Sequence, residues 1–203
     1  IAVITGGAGF IGSHTVDELL KKNYEVRIID NLSGGHLKNL DHHKKEPNLL
    51  LEEIDIRNLK ENNKLFKDAD YVFHFAGIGD IVPSIEKPTE YIDVNVNGTL
   101  KVIQASKMMN VRKVVYAASS SCYGLAKTPT NEEHKLSPEY PYAISKLMGE
   151  NLLLHWNKVY NLPTISIRIF NAYGTRVKTT GAYGAVFGVF FKQKLSNMPF
   201  TVV

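Results

Sequence analysis

The chain has 203 residues, 44% of them hydrophobic and 22% charged. That is enough to bury the core of one large domain, or of one domain and part of another, and it excludes disordered, fibrous and small disulfide-stapled classes. Its 24 Lys and Arg against 20 Asp and Glu are scattered along the chain, so the net charge of +4 points to small acidic ligands rather than to nucleic acid.

Apolar runs of strand length alternate with longer amphipathic stretches, which predicts parallel βαβ units. Ile1 to Thr5 reads as a strand buried on both faces, followed by glycines and a helix from about Ile11 to Lys22 that Asn23 can end. Glu25 to Asp30 is a second strand, residues 31 to 48 an irregular crossover, and Leu49 to Glu53 a short third strand. A helix is expected near Leu59 to Lys67, a fourth strand at Tyr71 to Ala76, and a loop at Gly77 to Lys87. Pro88 suits the start of a helix running to Asn110. Lys113 to Ser119 makes strand five, Tyr123 to Pro141 a proline-broken loop, Tyr142 to Tyr160 a long helix, and Pro163 to Ile169 strand six. Beyond Gly174 the composition changes, with Gly181, Gly184 and Gly188 among aromatics, a helix near Val186 to Leu195, and a last strand beginning at Thr201. The expected architecture is a Rossmann-type doubly wound parallel α/β sheet over residues 1–173, with 174–203 as the truncated start of a smaller substrate domain.

Gly6, Gly9 and Gly12 stand at three-residue spacing between a predicted strand and a predicted helix. Gly6 permits a tight turn, Gly9 a close approach of backbone to a pyrophosphate, and Gly12 close packing of helix on strand. The amides around Phe10 and Ile11 at the helix start supply donors and a positive dipole end. Asp30 closes the second strand eighteen positions past Gly12, where a carboxylate accepts from a ribose and repels a 2′-phosphate, so NAD is favoured over NADP. Farther on, Tyr142 and Lys146 stand at i and i+4 and project from one helical face. A free phenol titrates near 10, and a neighbouring cation favours its ionised form, so the pair suits proton transfer.

The stretches ITGGAGFIGSH (4–14), DNLSGG (30–35), DIR (55–57), HFAG (74–77), YIDVNVNGT (91–99), YAASSSCYG (116–124), YAISK (142–146) and RIFNAYG (168–174) resemble, in order, the nucleotide-sugar epimerases and dehydratases of the extended short-chain dehydrogenase/reductase superfamily. This resemblance implies that Asp30, Asn31 and Ser33, with Gly34 beside them, hold the adenosine ribose. Asp55 and Ile56 would flank the adenine, and Phe75, Ala76 and Gly77 would line the cofactor cleft with Asn95 nearby. Ser119 would assist proton transfer, with Ser120 and Ser121 as competitors. Tyr142 and Lys146 would serve catalysis and the nicotinamide ribose, and Asn171, with Phe170 adjoining it on the cofactor side, would meet the diphosphate or the sugar. Ser84 would face the hexose, and Arg176 and Lys178 could meet phosphate.

The implied reaction is a 4-epimerisation of a nucleotide-diphosphate sugar through a 4-keto intermediate. Dehydratases of the family carry Asp and Glu immediately after the catalytic Thr, where this chain has Ser120 and Ser121, so epimerisation is favoured. A 4,6-dehydratase, an NADP-dependent reductase and an NAD-binding sensor are the alternatives. The resemblance also implies a homodimer through the helices near 90–110 and 142–160. Cys122, the single cysteine, reads as a small buried residue, and the seven histidines show no zinc spacing, so no metal is expected. With no apolar run near ~20 residues and no signal-peptide pattern, the expected location is cytoplasmic.

Overall fold

A computed structural model describes residues 1–178 and 186–201. Six parallel strands, β1 (Ala2–Thr5), β2 (Val26–Asp30), β3 (Leu49–Glu53), β4 (Tyr71–His74), β5 (Lys113–Ser119) and β6 (Thr164–Ile169), form one sheet in the order β3-β2-β1-β4-β5-β6. The helices are α1 (Phe10–Lys21), α2 (Ile81–Glu86), α3 (Pro88–Ile92), α4 (Thr99–Met108), α5 (Pro141–Tyr160) and α6 (Val186–Leu195). Strand order reverses between β1 and β4, and in such sheets ligands bind beyond the carboxyl ends of the strands at that reversal.

All four residues of β1 are buried because helices cover both faces of the sheet. Alternation along the strands sends Val3, Ile29, Val72 and Val114 into one core with Phe66, Ile103 and Leu153. Ala2, Ile4, Val26 and Ile28 enter the other, with Val16 and Leu19 of α1. Helix α1 ends as expected: Asn23 adopts φ +59°, and Tyr24 N–H returns to the Leu19 carbonyl. The crossover after β2 carries a 3₁₀ helix, Leu37–His43, that buries Leu40.

Three expectations are corrected. The helix at Leu59 to Lys67 does not form. Two single turns, Ile56–Asn58 and Lys64–Phe66, stand there because the Asp55 and Asn63 side chains accept from Arg57 N–H and Leu65 N–H, closing local turns that compete with helix propagation. The expected loop at Gly77 to Lys87 contains α2, whose Pro83 falls in the first turn, where a missing N–H breaks no intrahelical bond. The helix from Pro88 runs to Met108 but passes through a π-helical segment, Asp93–Gly98. Thr201 lies in no strand; Val202, Val203, Gly181 and Gly184 lie outside the described residues.

The end of β6 is tied to α5 by an ion pair that is almost dry. Glu150 is 3% exposed, and its carboxylate receives Arg168 Nη2 at 2.5 Å, Arg168 Nε at 3.1 Å and Ser166 Oγ at 3.0 Å. Arg168 Nη1 also donates to Tyr123 Oη at 2.7 Å. Removing one partner of such a pair leaves the other charge buried and unpaired. Arg168→Ala is therefore expected to lower unfolding free energy by about 3–5 kcal/mol, read as a reduced urea midpoint, with Arg168→Ala/Glu150→Leu recovering part of the loss.

Candidate active site

The carboxyl edge of the sheet assembles most of the residues singled out in the sequence. Gly6, at φ +72°, turns the chain directly beside β4: a methyl group there would stand 2.6 Å from Ala76 N. A methyl at Gly12 would collide with the Gly6 carbonyl and reach Gly7 Cα at 2.8 Å, so α1 packs on the turn at the distance only glycine allows. Gly9 precedes α1 in an extended conformation, and no side chain caps the helix. The first-turn amides of Phe10, Ile11 and Gly12 therefore have no side-chain partner, which fits an anionic diphosphate at the helix N-terminus.

Asp30 is 6% exposed, and its two carboxylate oxygens accept from Ala8 N at 2.9 Å and Leu32 N at 2.8 Å. It thus braces the glycine turn as well as closing β2. Beside it Asn31 Nδ2 donates to Asp55 Oδ2 at 2.8 Å, and Ser33 N and Oγ both donate to Asn31 Oδ1. Gly34 has open space around its α-carbon. Ile56 is buried, its side chain filling the room left by Gly98.

Arg57 grips Asp55 through Nε at 3.0 Å and Nη2 at 2.8 Å and pulls its carboxyl down to about 2, helped by Arg57 N–H and Asn31 against the opposing effect of burial. A depressed carboxyl pKa means the unfolded chain takes up protons first as pH falls, so this contribution is complete above about 4 and is lost towards 2. The urea midpoint of the native chain should accordingly fall across that window, and Asp55→Asn should flatten the fall.

At the other end Ser119 closes β5 and lies against Tyr142, whose phenol is also edge-on to Tyr91 with ring centroids 6.3 Å apart. The expectation that the lysine would favour an ionised phenol is corrected here. Burial pushes Tyr142 up from its usual value, and the hydrogen bond with Ser119 pulls it back only in part. Lys146 is 7% exposed, held down to about 8 by burial, and its Nζ stands 4.3 Å from the centroid of the Tyr116 ring, a cation–π contact in a dry site. Gly77 completes this wall: a methyl there would lie 2.9 Å from Asn95 Oδ1 and 3.8 Å from Lys146 Nζ.

Ser121 Oγ is 2.7 Å from Ser119 Oγ, and Ser120 is partly exposed in the same turn. Cys122 is fully buried with its thiol pushed up by burial. Phe75 and Ala76 are partly buried at the end of β4. Phe170, 59% exposed, stacks on Tyr123 at 6.3 Å, and Asn171 is exposed beyond β6. Ser84 is fully buried, its hydroxyl donating to the Ile81 carbonyl.

Arg176 and Lys178 meet carboxylates rather than open solvent alone, with Arg176 Nη2 at 2.9 Å from Asp17 and Lys178 Nζ at 3.6 Å from Asp80. Asp17 Oδ1 also receives His42 Nε2 at 2.9 Å and His43 Nε2 at 2.8 Å. This Asp–His–His group has donor atoms at metal-like separations, but the Arg176 guanidinium already supplies its cation. Reading along the chain missed it because its members come from α1, the 3₁₀ helix and the segment after β6. Also missed were Tyr91, His74 and Thr99, although HFAG and YIDVNVNGT contain them.

A parallel sheet in this strand order, a glycine turn closed on a helix N-terminus, and a buried serine and lysine with a half-buried tyrosine at its carboxyl edge together define a Rossmann-type short-chain oxidoreductase fold. Residues 2–203 match the NAD dependent epimerase/dehydratase family, and the chain belongs to it. It is 34% identical over 175 residues to a UDP-glucose 4-epimerase of Lactobacillus helveticus, covering 85% of this chain and 52% of that protein. It is 35% identical over 201 residues to a UDP-N-acetyl-alpha-D-glucosaminuronate decarboxylase of Bacillus cytotoxicus, covering 96% and 61%. Among solved structures, the UDP-N-acetylglucosamine 4-epimerase of Methanobrevibacter ruminantium M1, in complex with UDP-N-acetylmuramic acid, superposes with a TM-score of 0.92 at 36% identity, covering 97% of this chain and 63% of that one. The chain thus spans less than two thirds of the length of each. Among the described residues no helix is long and apolar enough to cross a membrane.

Proposed function

We propose that the protein is an NAD-dependent 4-epimerase of a nucleotide-diphosphate sugar, a UDP-hexose or UDP-N-acetylhexosamine. The observation that carries this reading is that Ser119 at the end of β5 meets Tyr142 of α5, which also carries the buried Lys146, at the carboxyl edge of the sheet, while the turn that follows Ser119, residues 120–123, contains no carboxylate. Bound NAD would supply a hydride acceptor and donor and a positively charged nicotinamide ring. Gly6, Gly9 and the amides of Phe10, Ile11 and Gly12 would hold its diphosphate. Asp30, Asn31, Ser33 and Gly34 would hold the adenosine ribose, with Asp55 and Ile56 at the adenine and Phe75, Ala76, Gly77, Asn95 and Phe170 along the cleft.

Tyr142 would take the proton of the sugar 4-hydroxyl while the hydrogen on C4 leaves with its electron pair, giving a 4-keto sugar. Ser119 would bridge that hydroxyl and the phenol, and Lys146, one turn along the same helix, would hold the nicotinamide ribose. Rotation of the keto sugar presents its other face, and Tyr142 returns the proton as the hydrogen is given back to C4. Ser120 and Asn171 would orient the sugar and diphosphate; Ser84, whose proton is committed to Ile81, would serve only as an acceptor. Residues from 174 onward would begin a substrate-binding domain. A homodimer through α4 and α5 is supported by the exposed apolar side chains of Met108, Ile144 and Met148 on those helices.

The decarboxylase relative raises a second reading. Elimination or decarboxylation after the first oxidation calls for further acid–base groups, and the serine pair at 120 and 121 does not provide them. Incubating the protein with NAD and a panel of UDP-hexoses, UDP-N-acetylhexosamines and UDP-uronic acids, with products resolved by C4 configuration, tests the proposal. Inversion at C4 without net consumption of NAD is expected. A 4-keto-6-deoxy sugar, a released carbon dioxide or no turnover at all would overturn it.

A further inference from the structure

His74 is the residue at the carboxyl edge that the mechanism above does not use, although it is fully buried and both its ring nitrogens are bonded. Its Nδ1 lies 2.6 Å from Thr5 Oγ1 and its Nε2 2.9 Å from Thr99 Oγ1. The proton positions follow from the two ends of this row. At one end the Ala76 amide can only donate, and it donates to Thr5 Oγ1 at 3.3 Å. At the other the Asn95 carbonyl can only accept, and it accepts from Thr99 Oγ1 at 2.7 Å. With its own proton spent on Asn95, the Thr99 oxygen is left to accept from His74 Nε2–H, while Thr5 sends its proton to His74 Nδ1. A neutral Nε2–H imidazole satisfies every group in the row. Burial, with Lys146 adding repulsion, holds the ring down to about 3, in keeping with that neutral form.

The row ends on a carbonyl within the π-helical segment, where the ordinary i→i−4 ladder is interrupted. The side chain of the same Asn95 holds both polar groups of Ile78, accepting from its N at 2.9 Å and donating to its O at 3.0 Å, and donates to Ser145 Oγ at 3.0 Å. Ser145 immediately precedes Lys146, and Gly77 lies between Asn95 and the lysine ammonium.

We propose that His74, through Thr99, is a positioning residue that fixes Asn95 and with it the walls of the Lys146 site. The proposal rests on the reading of Lys146 as part of the reacting group. Its test separates the two. Nitrogen-15 NMR of histidine-labelled protein should find His74 as the Nε2–H tautomer at pH 7. The titration of Lys146, followed through its labelled ε-carbon without cofactor, should move by about half a unit or more in Thr99→Val and return in Thr99→Ser. In Thr99→Val kcat for C4 inversion should fall by on the order of 10-fold or more with substrate KM little changed, and Thr99→Ser should recover it. If Thr99→Val does not fold, His74→Gln, which keeps a donor towards Thr99, is compared with His74→Asn, which is too short to reach it, by the same lysine readout. A protonated Nδ1, or a Lys146 titration indifferent to these substitutions, would overturn the proposal. A Lys146 titration that moves in a protein turning over no nucleotide sugar would leave the positioning role standing and remove the catalytic reading.

Discussion

Tyr142→Phe is expected to lower kcat for C4 inversion by about 10²–10⁴-fold, the usual worth of one positioned acid–base group, while NAD affinity changes little. The substitution removes one oxygen from a half-buried ring whose packing against Tyr91 is otherwise kept, so the fold should be untouched. Burial favours the protonated phenol and Ser119 partly opposes it, so Ser119→Ala should shift the ascending limb of the rate profile, set by ionisation of the phenol that takes the proton, upward in pH as well as slow the reaction. Steady-state kinetics beside a cofactor titration measured by fluorescence would separate the two effects. A Tyr142→Phe enzyme retaining more than about a tenth of the native kcat would remove the phenol from the proton-transfer step.

Gly12→Ala is expected to damage fold and cofactor binding together, and Gly9→Ala cofactor binding alone. At position 12 a single methyl meets backbone, the Gly6 carbonyl and Gly7 Cα, and neither can rotate away as a side chain could. Helix α1 would have to lift from the turn, at about 1–3 kcal/mol or more for overpacking a tight contact. At position 9 the nearest atom is the Gly6 oxygen at 3.1 Å, a contact relieved by a few tenths of an ångström, and the new methyl would instead stand where a diphosphate approaches. Urea denaturation should therefore rank Gly12→Ala well below Gly9→Ala. Calorimetry should find both weakened for NAD by about 10-fold or more, which is 1.4 kcal/mol. Equal stability of the two variants would show that α1 does not depend on that contact.

The positions of these groups were legible to different degrees. Gly6, Gly9 and Gly12 lie within seven residues of one another, and Tyr142 and Lys146 within one helical turn, so each set is fixed by local geometry and could be read directly. Apolar runs of strand length likewise placed all six strands, because a sheet covered on both faces selects such continuous runs. The helix expected at Leu59 to Lys67 failed for a local reason too: Asp55 and Asn63 spend their side chains on nearby amides, and composition does not distinguish that use from a solvated one. The direction of the Tyr142 shift was misjudged because one neighbouring cation can be seen in a sequence and desolvation cannot.

What the order of residues determined by itself is the set of short-range devices: the strands, the glycine turn, and the helix that carries phenol and ammonium on one face. What only tertiary structure decided is everything that depends on a partner far along the chain. The Glu150–Arg168 pair, the Asp17 group with His42, His43 and Arg176, and the row from Thr5 through His74 to Thr99 and Asn95 bring together residues such as Glu150 and Arg168, 18 positions apart, and Asp17 and Arg176, 159 positions apart. The physical reason is that a buried polar group must find a partner wherever the fold brings one within about 3 Å, and that separation in space has no counterpart in separation along the chain.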